Sequence, residues 1–429
     1  MTEPFRDMQR IFGEFIANTV VDGMDQKPEL TLLIVDDSKS YRHLLANILS
    51  QWGYHVLHAE DGLHALRILN ENSINVVITD WEMPEMDGGE LCRQVRRHDY
   101  GHYIYIILVT ARQTTDDLVL GLESGADDFL SKPIHQSQLR ARLHVAERIL
   151  MLENKLEVRN QRLSTAYQQI EQDLQAAARL QRRVLPATAL SFEGYQADWI
   201  FLPSAYVSGD LLNYFMLDKH HIAFYSIDVA GHGVSAAMLS LAVSREFLSG
   251  RINERLLIVE GQIVPPHDVV AALNQRFCLD NEDITSYFTL IYGLIDTRTG
   301  KGALCQAGHP TPFIIRQQGE LVSVGHGGVP VGLFPDSEYQ SCDFSLEPGD
   351  RLYLYSDGIS ECENHDGELY GEARLQKMMM DLRDKDKAEL FQCVEDALVR
   401  WCQPEPQERT EYSRFFNDDI SLVAIERIA

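Results

Sequence analysis

Two sets of residues stand where short apolar runs give way to turn-formers. The first is Asp36-Asp37 and Asp80, joined downstream by Thr110 and Lys132. The second is Asp210 in Val-Ser-Gly-Asp, Asp228 in Asp-Val-Ala-Gly-His-Gly, Asp357 in Ser-Asp-Gly-Ile-Ser-Glu and Asp418 in Asn-Asp-Asp-Ile-Ser. Carboxylates at strand ends can converge on hard divalent cations, which take oxygen ligands. A pair of such cations can activate a water for attack on phosphorus without a protein nucleophile. Three close carboxylates repel one another unless a cation shares them, and Mg2+ suits an all-oxygen site that keeps several waters. Lys132, before Pro133, offers an ammonium to a phosphoryl oxygen, and Thr110 offers a hydroxyl donor. Taken singly, each of these residues is commonplace, since an Asp at a strand end caps helices and forms turns. Their joint spacing is what points to chemistry.

The elements that must position the first set begin at Leu30. Apolar strands at Thr31–Val35, His55–His58, Val76–Thr79, Ile104–Val109 and Phe129–Leu130 alternate with helical segments at Tyr41–Trp52, Gly62–Asn70, Gly88–Arg97, Asp116–Ser124 and from Gln138 onward. Such alternation predicts a doubly wound, parallel α/β sheet covered on both faces. In such a sheet ligands bind beyond the carboxyl ends of the strands, where the strand order reverses, and Asp36, Asp37 and Asp80 would meet there.

From about Leu139 to Leu185 there is no glycine or proline, which predicts one long helix. At 1.5 Å per residue it would reach roughly 70 Å. Ile149, Leu152, Leu156, Arg159, Leu163, Ala166 and Ile170 recur at three-four spacing. Leu174, Ala177, Gln181 and Val184 resume the pattern after an extra four-residue step. This is the spacing of a parallel dimeric coiled coil with a stutter, and Arg159 and the alanines weaken its seam.

Pro186 ends the helix. The strands that follow are short and alternating: Trp199–Leu202, Tyr214–Leu217, Ile222–Ile227, Phe288–Asp296, Lys301–Ala307, Pro312–Arg316, Leu321–Val324, Arg351–Tyr355 and Ile420–Ile425. Helical stretches interrupt them at Val234–Leu248, His267–Leu279 and Gly371–Leu398. Grouped strands with separate helices predict an α+β sheet sandwich. Ahead of all this, Phe5, Met8, Phe12, Phe15 and Thr19/Val20 give residues 1–29 the spacing of one amphipathic helix.

A length of 429 residues suits two domains and a connector. With 38 Lys plus Arg against 64 Asp plus Glu, the formal charge is −26, which repels nucleic acid and anionic membranes. No apolar run approaches the roughly 20 residues needed to span a bilayer, and Met-Thr-Glu-Pro-Phe-Arg lacks a basic segment followed by an apolar one, so the expectation is a cytoplasmic protein. Seven cysteines without a Cys-x-x-Cys pair fit a reducing compartment, carry no zinc signature and read as packing residues.

With Asp80 beginning Asp-Trp-Glu-Met-Pro-Glu-Met-Asp-Gly, residues about 30 to 145 resemble the CheY-like receiver domain of response regulators. The resemblance implies that Asp80 is the phosphoacceptor and that Asp37 and Asp80 are Mg2+ ligands with Asp36 close by. It also implies that the backbone carbonyl of Glu82 completes that site, that Thr110 and Lys132 contact the phosphoryl group, and that Phe129 is the switch aromatic.

The second set, with Gly209-Asp210, Ala307-Gly-His-Pro310, Pro330-Val-Gly-Leu333, Asp357-Gly358 and Asp418-Asp419, resembles the SpoIIE and RsbU group of the metal-dependent PPM protein phosphatases over residues about 175 to 429. The entry segment Ala178-Arg-Leu-Gln-Arg-Arg-Val-Leu-Pro186 belongs to the likeness. It implies two Mn2+ or Mg2+ ions bridged by Asp228 with the carbonyl of Val229, the second held by Asp357 and Asp418 and the first by Asp210. Asp418 is preferred to the neighbouring Asp419 by its place two residues before Ile420. Water activated by the metals would attack phosphoserine or phosphothreonine in line, with no covalent enzyme intermediate. His232 and His309 are acid candidates, although a histidine in a glycine turn more often serves as a hydrogen-bonding spacer. Relatives often carry a second Asp where this chain has Asn213.

The combined expectation has an amphipathic helix over 1–29, a flavodoxin-like receiver over 30–145, a coiled-coil linker over 146–186 and a PPM-type sandwich over 187–429. The resemblance implies a sensor histidine kinase or phosphotransfer protein as donor to Asp80. It further implies homodimerisation through the linker, and a phosphorylated STAS-type anti-sigma-factor antagonist as substrate of the serine phosphatase, in partner-switching signalling. The alternative is a phosphatase-fold adaptor that sequesters a partner under receiver control. A DNA-binding output is disfavoured by the acidic charge and the absence of a terminal helix-turn-helix. Whether phosphorylation activates or inhibits stays open at this point.

Overall fold

Five consecutive runs of β-branched and apolar residues pair side by side in the N-terminal part of the computed structural model, which describes residues 30–111, 121–187, 190–192, 194–248, 256–280, 287–402 and 416–428. The amphipathic helix expected over residues 1–29, and most of the helix expected over Asp116–Ser124, lie outside the described residues. The chain divides into two compact units whose boundary falls between Ala166 and Tyr167, inside a single helix. Among the described residues no helix is long and apolar enough to cross a membrane.

In the first unit β1 (Thr31–Val35), α1 (Lys39–Gln51), β2 (His55–Ala59), α2 (Gly62–Glu71), β3 (Val76–Asp80), α3 (Gly88–Arg97), β4 (Tyr105–Thr110) and β5 (Asp128–Ser131) build a sheet of order β2-β1-β3-β4-β5. Every pairing is parallel. Strands β3 and β4 are buried along their whole length, as strands covered on both faces must be. One face packs through Leu32, Ile34, Val76 and Ile78 and the other through Leu33, Val35, Val77 and Ile106, the period-two split of a strand. The helices start at side-chain caps: Ser38, Asp61 and Asp87 each accept a hydrogen bond from the backbone N–H three residues on.

The long helix α4 runs over Gln136–Arg182, 47 residues without a break. Its first turns belong to the core of the first unit through Leu139, Leu143 and Ala146. Leu152, Leu156, Leu163 and Ile170 then lie more than half exposed. From Leu174 through Ala178 the helix is half-buried, and Gln181 is buried. The stutter read from the sequence, between Ile170 and Leu174, therefore coincides with the point where the helix stops presenting its apolar stripe to solvent and begins to pack on the second unit.

That second unit contains two antiparallel sheets. The first joins β8 (Leu211–Met216), β9 (His221–Val229), β12 (Phe288–Asp296), β13 (Lys301–Ala307) and β16 (Ser341–Ser345) in the order β16-β13-β12-β9-β8. The second joins β6 (Leu190–Phe192), β7 (Tyr195–Leu202), β14 (Phe313–Ile315), β15 (Leu321–Ser323), β17 (Arg351–Tyr355) and β18 (Ile420–Arg427) in the order β15-β14-β17-β18-β7-β6. A two-stranded ribbon pairs β10 (Ile258–Val259) with β11 (Gln262–Ile263).

Alternation along β17 and β18 shows how the sheets stack. Leu352, Leu354, Val423 and Ile425 point into the core shared with Phe224, Ile291 and Leu304 of the first sheet. Tyr353, Tyr355, Leu422 and Ala424 point the other way, into a second core with the short α7 (Asp357–Ser360), α8 (Glu372–Asp381) and α9 (Lys387–Cys402). Helices α5 (Val234–Leu248) and α6 (Pro266–Asp280) contribute Val243, Phe247, Val269 and Leu273 to the core of the first sheet. The expected sandwich of two sheets with separate helices is what the chain forms. The single helical stretch expected over Gly371–Leu398 is interrupted between α8 and α9, where Asp386 caps the second helix by accepting from Glu389 N at 2.8 Å.

Candidate functional sites

In the first unit, parallel register sets the site. Residue Val35 lies beside Thr79, so Asp36 and Asp37 leave β1 next to Asp80 at the end of β3, where the strand order turns. One oxygen from each of the three carboxylates lies within 4.8 Å of the others. Asp36 and Asp80 are buried and Asp37 is exposed. Lys132 enters from beyond β5 and donates to Asp36 Oδ2 at 2.9 Å and Asp80 Oδ2 at 2.6 Å. Its backbone N–H donates to the carbonyl of Thr110 at 2.8 Å, which brings Thr110, itself buried, to the same rim. Burial raises the Asp80 carboxyl above the usual range against the pull of Lys132. Three oxygens this close, with one facing water, fit a hard divalent cation that keeps part of its hydration shell. Phe129 is half-buried on β5, with the Arg142 guanidinium of α4 6.0 Å from its ring centre, and Arg142 also pairs with Asp128 at 3.0 Å.

In the second unit the site lies where two antiparallel pairs end. Leu211 sits opposite Ile227, so Asp210, just before β8, comes to Asp228 at the end of β9. Tyr355 sits opposite Leu422, so Asp357, just after β17, comes to the Asp418-Asp419 turn before β18. Gly358 makes that approach possible, because a Cβ there would stand 2.0 Å from the carbonyl oxygen of Asp419. Gly209 does the same for Val229, whose carbonyl oxygen would be 3.1 Å from an added Cβ.

The four aspartates carry the electrostatic mark of anions forced together. Asp210 is fully buried, its Oδ2 has no hydrogen-bond partner among the described residues, and burial with the nearby Asp228 and Asp419 charges pushes its carboxyl well up. Burial and the charges of Asp357 and Asp418 raise Asp228 to about 7. Burial and Asp418 raise Asp357 to about 6. Burial also raises the exposed-edge Asp418, on which the imidazole of His232 acts in the opposite sense. An all-carboxylate donor set with an orphaned buried oxygen fits divalent cations. Among the described residues only the Asp36, Asp37, Asp80 group draws three ligand atoms within 4.8 Å of one another.

Asp419 is occupied otherwise. Its Oδ1 accepts from Ser204 N at 2.7 Å and Ser204 Oγ at 2.9 Å, and its Oδ2 accepts from Gly209 N at 2.7 Å. The same loop is held from the other side by α4. Gln181 Nε2 donates to Ser208 O at 2.6 Å, Gln181 Oε1 accepts from Ser208 N at 3.0 Å, and Tyr206 Oη donates to Glu171 at 2.7 Å. Asn213 is buried on β8, where its Oδ1 accepts from Tyr214 N at 2.8 Å and its Nδ2 donates to Val184 O at 3.4 Å.

The two histidines differ. His232 is exposed in a turn between Gly231 and Gly233, both at positive φ, of 93° and 86°. His309 is buried, its Nδ1 lies 2.7 Å from Thr289 Oγ1, and Thr289 stands opposite Asp228 in the β9–β12 register. Burial depresses its imidazole to about 3, so it is neutral at physiological pH and supplies no general acid there. Ser356, whose hydroxyl donates to Asp419 O at 3.3 Å and accepts from Ser421 N at 2.8 Å, and Gln181 were not among the residues expected to serve the site. Gln181 was legible as a polar residue in an apolar repeat, the signal of a buried polar contact, and lies within the entry segment Ala178–Pro186.

Comparison with known proteins finds relatives for both units. The family model described as "Response regulator receiver domain" matches residues 32–144, and the one described as "Stage II sporulation protein E (SpoIIE)" matches residues 218–428. Protein IcfG of Synechocystis sp. is 25% identical over 272 residues, covering 59% of this chain and 41% of that protein. Response regulator MprA of Mycobacterium sp. (strain KMS) is 41% identical over 112 residues, covering 26% of this chain and 48% of that protein. The chain thus spans less than half the length of either relative. The SiaA-PP2C domain of Pseudomonas aeruginosa shares the fold of the second unit, with a TM-score of 0.51, 20% identity, and coverage of 61% of this chain and 98% of that one. The chain is a response regulator receiver domain followed by a phosphatase-type domain of the SpoIIE family.

Proposed function

We propose that the chain is a protein serine/threonine phosphatase that depends on divalent cations and is controlled by phosphorylation of its receiver domain. The observation that carries this reading is the convergence of Asp210, Asp228, Asp357 and Asp418 at the ends of two strand pairs, with an unsatisfied oxygen buried on Asp210. Asp228 and the Val229 carbonyl would hold both ions, Asp357 and Asp418 the second, and Asp210 the first. When bound, Mn2+ or Mg2+ would neutralise charge on the phosphoryl oxygens and lower the pKa of the attacking water. The chain's own part is positioning. Asp419 and Gln181 fix the loop that presents Asp210, and a neutral His309 ties Thr289 beside Asp228 without adding charge.

The control site is Asp80, with Asp36, Asp37 and the Glu82 carbonyl as Mg2+ ligands and with Thr110 and Lys132 as phosphoryl contacts. Phosphorylation of Asp80 would draw in Thr110 and Lys132, reset Phe129 and alter how Arg142 seats the start of α4. At its other end α4 reaches Ser208 through Gln181, two residues before Asp210. The stripe of Leu152, Leu156, Leu163 and Ile170 fits a second copy of the chain, whose pairing would carry the change. A sensor histidine kinase or phosphotransfer protein would supply the phosphoryl group, and a phosphorylated STAS-type anti-sigma-factor antagonist is the substrate that the SpoIIE likeness favours.

The test is Mn2+-dependent hydrolysis of p-nitrophenyl phosphate by the whole protein, with and without beryllofluoride, beside Asp228→Asn, Asp357→Asn and Asp80→Ala. Activity should vanish in the first two variants, and in Asp80→Ala it should persist but lose its response to beryllofluoride. A correctly folded wild type that stays inactive at saturating metal in both states would favour the adaptor, and partner capture would then be the next measurement.

A further inference from the structure

Cys362 and Cys402 are 40 residues apart in sequence, yet their sulfurs are 2.7 Å apart, about 0.6 Å beyond disulfide bonding distance. The approach is fixed by its surroundings. The indole N–H of Trp401 donates to the carbonyl of Cys362 at 3.1 Å, and Tyr370 N donates to the same oxygen at 2.8 Å. Trp401 in turn stands edge-on to Tyr370 at 5.6 Å and carries the Arg374 guanidinium 4.4 Å from its ring centre. The two thiols are thus held together by packing of α8, α9 and the segment that leaves Asp357.

Their environments differ. Cys362 is buried, whereas Cys402 is half-buried. The hydrogen bond between them, with burial, pushes the Cys362 thiol up, and the same bond holds Cys402 below the usual thiol range. Among the described residues no other two cysteine sulfurs share a hydrogen bond.

We propose that Cys362 and Cys402 form a peroxide-reactive dithiol that closes to an intramolecular disulfide. The Cys402 thiolate attacks one peroxide oxygen and the O–O bond breaks. The departing hydroxide leaves as water after taking a proton, and Cys402, oxidised by two electrons, becomes a sulfenic acid. The Cys362 sulfur then attacks the Cys402 sulfur, the S–O bond breaks, and the second water carries away the Cys362 proton. Two thiols and one hydrogen peroxide give one disulfide and two waters, and a dithiol reductant restores the pair by exchange. The product would staple the chain five residues beyond Asp357 to the last residue of α9.

The experiment exposes the full-length protein to a small excess of hydrogen peroxide at neutral pH, blocks free thiols by alkylation and maps the unreduced peptides by mass spectrometry. The expected product is a peptide joining Cys362 to Cys402, lighter by the two hydrogens that oxidation removes and restored by dithiothreitol, with the other five of the seven cysteines alkylated. Cys402→Ser and Cys362→Ser should each lose the cross-link, and Cys393→Ser should keep it. A wild-type protein that yields sulfinic acid on Cys402 with Cys362 still alkylated, or that pairs either residue with another cysteine, overturns the proposal. Both of those outcomes are read on the wild type, whatever the folding of the variants.

Discussion

The carboxamide of Gln181 holds both backbone groups of Ser208, donating to its carbonyl at 2.6 Å and accepting from its N–H at 3.0 Å. The contact is buried, so neither partner has water as a substitute. It joins the last turns of a 47-residue helix to the loop that presents Asp210. Gln181→Ala leaves two backbone groups orphaned, and at ~1–3 kcal/mol each the expected loss is about 2–6 kcal/mol in stability. Loosening of Asp210 should also raise the Mn2+ concentration needed for half-maximal turnover. Thermal melting of the metal-free protein and a Mn2+ activation curve read the two effects separately. An unchanged activation curve would mean that the grip on Ser208 does not govern Asp210.

Gly358→Ala tests the meeting of the two carboxylate-bearing turns. An added Cβ stands 2.0 Å from the carbonyl oxygen of Asp419, and that oxygen is backbone, so the strain falls on the turn itself. Overpacking of this kind costs about 1–3 kcal/mol. Because relief separates Asp357 from Asp418, calorimetric Mn2+ affinity should drop at least tenfold, with the fold retained by circular dichroism.

The pH dependence of the metal-free protein follows from Asp228, raised to about 7 by burial and by Asp357 and Asp418. A carboxyl whose folded pKa lies above its unfolded value near 4 binds its proton more tightly when folded. Its contribution is therefore present at acid pH and is lost as pH rises from about 4 to about 7. Asp228→Asn removes that loss, and at pH 8 without metal it should be more stable than wild type by on the order of 2 kcal/mol, discounted for the solvent reaching this half-buried group. The advantage should shrink toward pH 5 and disappear when Mn2+ stabilises the wild type. Denaturant titrations at pH 5 and pH 8, with and without Mn2+, check both the sign and the window.

Self-association is expected to follow the exposed stripe of α4. Leu156→Asp together with Leu163→Asp places charge at two of its more-than-half-exposed leucines, without touching any described core residue. Sedimentation should show the wild type as a dimer and the double variant as a monomer with an unchanged melting midpoint. A variant that stays dimeric would move the interface elsewhere.

Much of this architecture was legible because burial on both faces writes itself as uninterrupted apolar runs. Thr31–Val35, Phe288–Asp296, Lys301–Ala307 and Arg351–Tyr355 have the bounds that composition alone assigns. One edge strand of the sandwich and the ribbon were not legible. Ser341–Ser345 pairs on one side only, and Ile258–Val259 with Gln262–Ile263 is too short to show a period. The break before α9 carried a readable signal, Asp386 with Glu389 three residues on, which the apolar periodicity of the longer stretch concealed. At the second site the ordered aspartates were visible as motifs. The contacts of Asp419 were not, since Ser204 lies 215 residues away and only the fold brings it near.

Asp419 has a consequence for how cations arrive. With three hydrogen bonds to Ser204 and Gly209 it orders the loop ahead of Asp210 during folding, so the conformational entropy of that loop is spent before any ion binds. What remains for ion capture is exchange of water and protons. Near neutral pH, Asp228, raised to about 7, is partly protonated, and Asp357, raised to about 6, less so; a cation must displace those protons, so loading the site acidifies its surroundings. The heat of loading then includes the ionisation heat of whichever buffer takes up those protons.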